Sequence, residues 1–269
     1  MTKITVPLLS AANWGGQGIH PTGNFEGYEQ SRSEQKWLEV HGDTHYTHFY
    51  SSYGYDLQRR FFDHFLKGID NGWDGEPPVH LNIRHPDERF ELRKEREWPL
   101  ARTQWTRFYL DPGTLTLRRE VPERPTSVSY RTMGNGLTFS LPAIDDEVEV
   151  TGPMAAKLFV SSGTSDADLF LIVRLFDPSG AEVTFEGAND PNTPIAMGWL
   201  RASHRELDPQ RSRPYRPYLT HRRKLPLVPG EIYELDVEIW PSCIVVPPGY
   251  RIALTVRGKD YEYEGELDD

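Results

Sequence analysis

The hydrophobic rhythm of this chain changes once, at Asp70-Asn-Gly-Trp-Asp-Gly-Glu-Pro-Pro78, and each side of that change permits a different kind of structure. Before it, apolar residues come in near-continuous runs or at helical spacing. Residues 3–12, Lys-Ile-Thr-Val-Pro-Leu-Leu-Ser-Ala-Ala, read as a strand covered on both faces, as in a parallel sheet. Asn13-Trp-Gly-Gly-Gln-Gly18 leaves it as a glycine-rich loop, and no Lys-Ser/Thr follows the glycines as a phosphate loop would require. A short helix is expected from Asn24 to Arg32, with Asn24 as its N-cap. Lys36–His41 then reads as a second strand, with Leu38 and Val40 turned to a core and Glu39 between them. Strand, helix, strand is a βαβ unit. Residues 55–67 predict the clearest helix: Leu57, Phe61 and Phe65 lie four apart, Phe62 and Leu66 widen the stripe, and Gly68 suits a left-handed terminator.

Beyond Pro78 the pattern alternates. His80-Leu-Asn-Ile-Arg84, Trp105–Leu110 and Leu137–Leu141 carry it first, and segments 154–160, 169–176, 181–185, 231–240 and 244–256 continue it. Turns such as Asp177-Pro-Ser-Gly180 and Pro247-Pro-Gly249 separate the strands. Many short strands without an intervening helix predict a mainly β protein. Residues 79–269 would form a β-sandwich of jelly-roll type, and residues 1–78 the βαβ-containing piece ahead of it. The run Arg211-Ser-Arg-Pro-Tyr-Arg-Pro-Tyr218 predicts an extended surface loop.

Composition narrows the partners. The 269 residues carry a net charge of −10, which argues against nucleic acid and against an anionic membrane surface. One cysteine, Cys243, excludes an internal disulfide and a cysteine-built zinc site. The start of the sequence has neither a basic, apolar secretion signal nor a membrane-length apolar run, so a cytoplasmic protein is expected.

The chemistry concentrates at His41-Gly-Asp-Thr-His-Tyr-Thr-His48. Gly42 ends the strand, and a polar loop follows, the place where α/β enzymes hold an acid–base group. Three readings fit. His45 is the general base of a Ser-His-Asp hydrolase, in which the histidine comes last in chain order. Alternatively His41, His45, His48 and Asp43 provide donors for zinc, although a strand end and a loop give them no common orientation. Or the imidazoles satisfy backbone groups around a sharp turn. The hydrolase reading needs a nucleophile, and no Gly-x-Ser-x-Gly elbow occurs anywhere in the sequence.

Several strings together resemble the C-terminal half of the cocaine-esterase-like acyl hydrolases and X-Pro dipeptidyl-peptidases. Val6-Pro-Leu-Leu…Asn13-Trp14 is similar to a family strand ending in Trp-Tyr-Asp. Leu38-Glu-Val-His-Gly-Asp-Thr-His45 runs in step with Leu-Val-Val-Gly-Pro-Trp-Ser-His, whose last residue is the family's catalytic histidine. Phe61-Phe-Asp-His-Phe-Leu-Lys-Gly68, Asp70-Asn-Gly72, Glu76-Pro-Pro-Val79 and Trp98-Pro99 resemble the passage from hydrolase core to sandwich. Trp199-Leu-Arg-Ala-Ser-His-Arg205 and Pro248-Gly-Tyr-Arg-Ile-Ala-Leu254 resemble signatures of its C-terminal jelly roll. The resemblance implies the last βαβ portion of an α/β-hydrolase core followed by a non-catalytic sandwich, with His45 as the catalytic histidine. It implies no cofactor and no metal. Two departures stand out. The family's triad Asp falls at or near Gly16, leaving Asp43 and Glu26 as substitutes, and the serine-bearing region is missing. The expectation is therefore a fragment of an ester- or amide-cleaving serine hydrolase, inactive alone and acting on a small ester or peptide when complete. Its cut sheet edge should favour homo-oligomers. The competing expectation is a carbohydrate- or ligand-binding sandwich without catalysis.

Overall fold

The computed structural model describes residues 1–263 except Asn189, and describes the backbone but not the side chain of His45. Its elements in order are β1 (Leu8–Asn13), α1 (Pro21–Gln30), β2 (Lys36–His41), α2 (His45–Tyr50), α3 (Ser52–Lys67), β3 (Val79–Arg84), β4 (Phe90–Glu95), β5 (Tyr109–Asp111), β6 (Thr116–Arg118), β7 (Leu137–Ser140), β8 (Val148–Val160), β9 (Asp168–Phe176), β10 (Glu182–Val183), β11 (Ala196–Arg201), β12 (Tyr233–Val246) and β13 (Arg251–Arg257). The protein is mainly β. Two sheets hold these strands: one runs β1-β2-β3-β12-β8 with β4 beside β3, the other β10-β9-β13-β7-β6-β5 with β11 beside β9. No described helix is long and apolar enough to cross a membrane.

The parallel part of the first sheet is β1, β2 and β3. Its two faces differ. Leu38 and Val40 of β2 join Val79, Leu81 and Ile83 of β3 in an apolar cluster with Trp14, Phe25 and Tyr28, so α1 covers this side. Trp98 stacks on Phe25 there at 4.8 Å. Alternation sends Trp37, Glu39 and His41 to the opposite face, where Trp37 packs with Leu57, Phe61 and Trp73 under α3. The expected alternation of 80–84 is real, but both faces are covered: every residue of β3 is buried. Val79–Arg84 is thus the third strand of the parallel sheet, and its register pairs His80 with Glu39.

The main core lies between the sheets, built from Leu158, Leu171, Leu175, Leu235, Ile244 and their neighbours. β12 links the two regions. It pairs along its length with β8, and its Ile244 lies beside Arg84 of β3. The first sheet therefore runs without a break from the parallel strands into the sandwich.

Several local expectations change. β1 starts at Leu8, and as an edge strand it leaves Ala11 exposed. The first helix begins at Pro21, whose fixed φ suits the first turn, and Asn24 sits inside it with Nδ2 donating to the Ala11 carbonyl at 2.8 Å. Residues 45–50 are a short helix rather than a loop, capped by Thr44, whose Oγ1 accepts from the Thr47 N–H at 3.0 Å. α3 starts at Ser52 with Ser51 as N-cap, and Gly68 closes it in the left-handed region. Leu57 and Phe61 are buried under it, but Phe62 and Leu66 face outward. The basic run 211–218 lies on α1: Arg211 and Arg216 pair with Glu26 at 3.4 and 3.3 Å.

Candidate active site

The site is assembled where β1 and β2 end. The main chain of β2 continues through Gly42 and Asp43 into α2. Gly42 leaves room for the Phe90 ring of β4: a Cβ there would lie 1.9 Å from its Cε1, so a larger residue would have to displace that exposed ring. Asp43 turns the chain with φ 62°, a conformation that aspartate tolerates better than most residues. Its Oδ1 accepts from the Thr44 N–H at 2.6 Å. Asn13, at the end of β1, fastens this turn: Nδ2 donates to the carbonyls of Gly42, at 3.4 Å, and of Asp43. The Trp14 N–H donates to the His41 carbonyl at 2.8 Å, tying the glycine-rich loop to the same strand end.

That loop meets the sandwich closely. A Cβ on Gly15 would lie 2.3 Å from Cα of Gly187, and a Cβ on Gly16 would lie 3.2 Å from Cδ of Pro21. The Ala188 N–H donates to the Gly15 carbonyl at 3.3 Å. The two carboxylates named as substitutes for the triad acid have partners of their own. Asp43 binds the Thr44 amide, and Glu26 pairs with Arg211 and Arg216.

Beneath the turn is a polar network that the sequence reading did not assemble. Glu39 is buried at 2% exposure. Its Oε2 accepts from His41 Nδ1 at 2.9 Å, and its Oε1 lies 3.1 Å from His48 Nε2. The His41 and His48 rings stack at 4.2 Å, 8° from parallel. Burial works to raise the Glu39 pKa, but the hydrogen bonds and charge of the two imidazoles outweigh it and hold the carboxyl below its usual range.

The network continues along the sheet. The Tyr53 ring meets His48 edge-on at 4.9 Å, and its hydroxyl lies 3.4 Å from His80 Nδ1. His80 Nε2 is 3.0 Å from Glu76, which also binds Arg60 at 2.9 Å and Lys94. Burial raises the Tyr53 pKa, and the charges of Glu39 and Glu76 add to the rise, so the phenol stays protonated. Burial lowers the His80 pKa against the pull of Glu76.

Of the residues singled out in sequence, His41 and His48 come together, with Glu39 rather than Asp43 as their carboxylate. His45 is the first residue of α2, directly after the fastened turn, and its side chain lies outside the described residues. The signal for Glu39 was present: Glu39 and His41 are two apart on one strand and share a face. An alternating strand reads as having one wet face, and only the docking of α2 and α3 closes it.

The chain is similar to known proteins over most of its length. Residues 71–266 match the X-Pro dipeptidyl-peptidase C-terminal non-catalytic domain. A protein named as a serine esterase from Mycobacterium tuberculosis is 30% identical over 237 residues, which span 75% of this chain and 35% of that protein. The cocaine esterase of Rhodococcus is 26% identical, over 76% of this chain and 38% of its own length. The crystal structure of a CocE/NonD family hydrolase from Staphylococcus aureus superposes with a TM-score of 0.93 at 32% identity, covering 98% of this chain and 48% of that one. The chain thus spans between about a third and a half of the length of these relatives. It belongs to the cocaine-esterase-like and X-Pro dipeptidyl-peptidase family of serine hydrolases, to whose C-terminal part it corresponds.

Proposed function

We propose that this chain contributes the general-base histidine and the non-catalytic sandwich of a hydrolase that cleaves esters or amides through an acyl-serine intermediate. His45 is the base. It takes the proton from a serine hydroxyl as the oxygen bonds to the substrate carbonyl carbon, then returns it to the departing alcohol or amine. The attacking serine and the oxyanion donors are supplied by polypeptide outside these 269 residues, in keeping with the absence of a Gly-x-Ser-x-Gly elbow.

The observation that carries this reading is the turn at Gly42-Asp43. It lies beyond the C-terminal end of a parallel strand, is held by Asn13, and delivers His45 as the first residue of α2. The ends of parallel strands are where such sheets gather reacting groups, and a main-chain-fastened turn presents them with little freedom.

Hydrolysis of p-nitrophenyl acyl esters tests it. The purified chain alone is expected to show no turnover. Fused behind the serine-bearing part of a family hydrolase it is expected to turn over, and His45→Ala then lowers kcat by roughly 10⁴-fold or more. Turnover by the isolated chain that His45→Ala abolishes overturns the absent nucleophile. Undiminished turnover of the His45→Ala fusion overturns the base.

A further inference from the structure

Glu39 presents an electrostatic problem that a catalytic histidine at position 45 does not explain. It is a buried carboxylate, and its hydrogen-bond and ion-pair partners among the described residues are imidazoles, with no lysine or arginine. Burying a carboxylate without a permanent cation is costly. Each imidazole answers that cost only when the nitrogen facing Glu39 carries a proton.

A single divalent cation answers the same need with all three groups at once. One donor atom from each of Glu39, His41 and His48 lies within 4.8 Å of the others. Each ring presents one nitrogen to the same carboxylate, His41 Nδ1 to Oε2 at 2.9 Å and His48 Nε2 to Oε1 at 3.1 Å. Two imidazole nitrogens and a carboxylate oxygen form a donor set that zinc accepts at about 2.0–2.2 Å, with a water as fourth ligand. Because the in-plane lone pairs of stacked rings run side by side, both nitrogens reach one ion once the more exposed His48 ring rotates out of the stack. Each bonding nitrogen gives up its facing proton, which a neutral ring carries on its other nitrogen instead. The side chains of Glu39 and His41 are 2% and 7% exposed, but that of His48 is 20% exposed, which leaves an approach for the ion and for a water ligand.

We propose that Glu39, His41 and His48 bind one divalent transition-metal ion of the zinc class, bridging strand β2 to helix α2. The ion is structural. The exposed Tyr46, Phe49 and Tyr50 give α2 little apolar anchorage, while His48 reaches the buried carboxylate of the strand. Metal at this point pins the segment that follows the Asp43 turn. The proposal is independent of the hydrolase reading, since it requires no serine and no turnover.

The test uses the full 269-residue chain, treated with chelator, dialysed and titrated with ZnCl2 by calorimetry and with CoCl2 by visible absorption. One equivalent is expected to bind with micromolar or tighter affinity. Cobalt should give d–d bands of low-symmetry nitrogen and oxygen coordination, and zinc should raise Tm. His48→Asn, on a partly exposed helix, is expected to keep the parent's far-UV spectrum, weaken binding by at least roughly tenfold and remove the cobalt bands. His41→Asn is the second variant and should do the same. His204→Ala breaks the other histidine pair, His204 and His221 at 3.5 Å, and should leave binding unchanged. The proposal is overturned by the absence of saturable binding, by binding that survives His48→Asn and His41→Asn, or by loss of binding on His204→Ala.

Discussion

Glu238 is a carboxyl outside the Glu39 network whose behaviour can be worked out from its neighbours. It lies on β12, facing Glu26 and Glu29 of α1 and Arg216 of the loop laid over that helix. Burial pushes its pKa up to about 7; Arg216 opposes the rise, and Glu26 and Glu29 add to it. The unfolded chain titrates near the ordinary 4.5, so between 4.5 and about 7 the folded state holds a proton that the unfolded state has released. Stability therefore falls as pH rises through that window, and the loss is complete above it. Glu238→Gln removes the effect. Thermal unfolding should find the variant close to the parent at pH 4.5 and more stable by roughly 3 °C at pH 8. An equal shift at both pH values would sink the assignment. Single residues differed in how far the sequence exposed them. Gly68 was readable because a helix terminator answers to its own backbone, φ 66°. Glu39 was not, because its burial depends on α2 and α3 arriving from later in the chain.

Elements were legible where their cause is local. β2 spans the predicted residues 36–41, since Gly42 ends it from within. The expected strands 231–240 and 244–256 divide this region wrongly: the first stops inside β12, and the second joins the end of β12 to β13. β12 instead runs through Pro241 with an irregularity in pairing to β8 between Ile239 and Ser242, the setting in which a sheet tolerates proline. Opposite this strand, β11 approaches so closely that a Cβ on Gly198 would lie 2.2 Å from the Glu238 carbonyl oxygen and 3.0 Å from Cα of Ile239. These are main-chain atoms and cannot swing aside. Gly198→Ala should destabilise the protein by about 2–3 kcal/mol, read from the urea midpoint at unchanged m-value. A loss near zero would mean that the sheets separate more easily than this contact implies.

At the scale of the molecule, the parallel sheet ends at β1, whose outer edge has no partner strand among the described residues. Beside it α2 and α3 expose Tyr50, Tyr55, Phe62 and Leu66. An unpaired edge next to apolar side chains favours addition of another chain. Light scattering of the isolated chain is expected to give a mass above 31.0 kDa that rises with concentration; a constant monomer mass would contradict it. The overall class, parallel strands followed by a β-sandwich, was visible in the change of hydrophobic rhythm near Pro78. The join between them was not, because Arg84 and Ile244 meet across a separation in sequence that no local pattern encodes.

That join has a mechanical meaning. Arg84 enters it fully buried, with its guanidinium donating to the Ile195 carbonyl and to Ser242 Oγ at 2.8 and 2.7 Å. A swing of the sandwich against the parallel strands would have to shear these bonds and the adjoining ladder together. Arg84 thus ties the parallel strand next to the one that carries the histidine turn to main-chain and side-chain atoms of the sandwich that come more than a hundred positions later in the sequence.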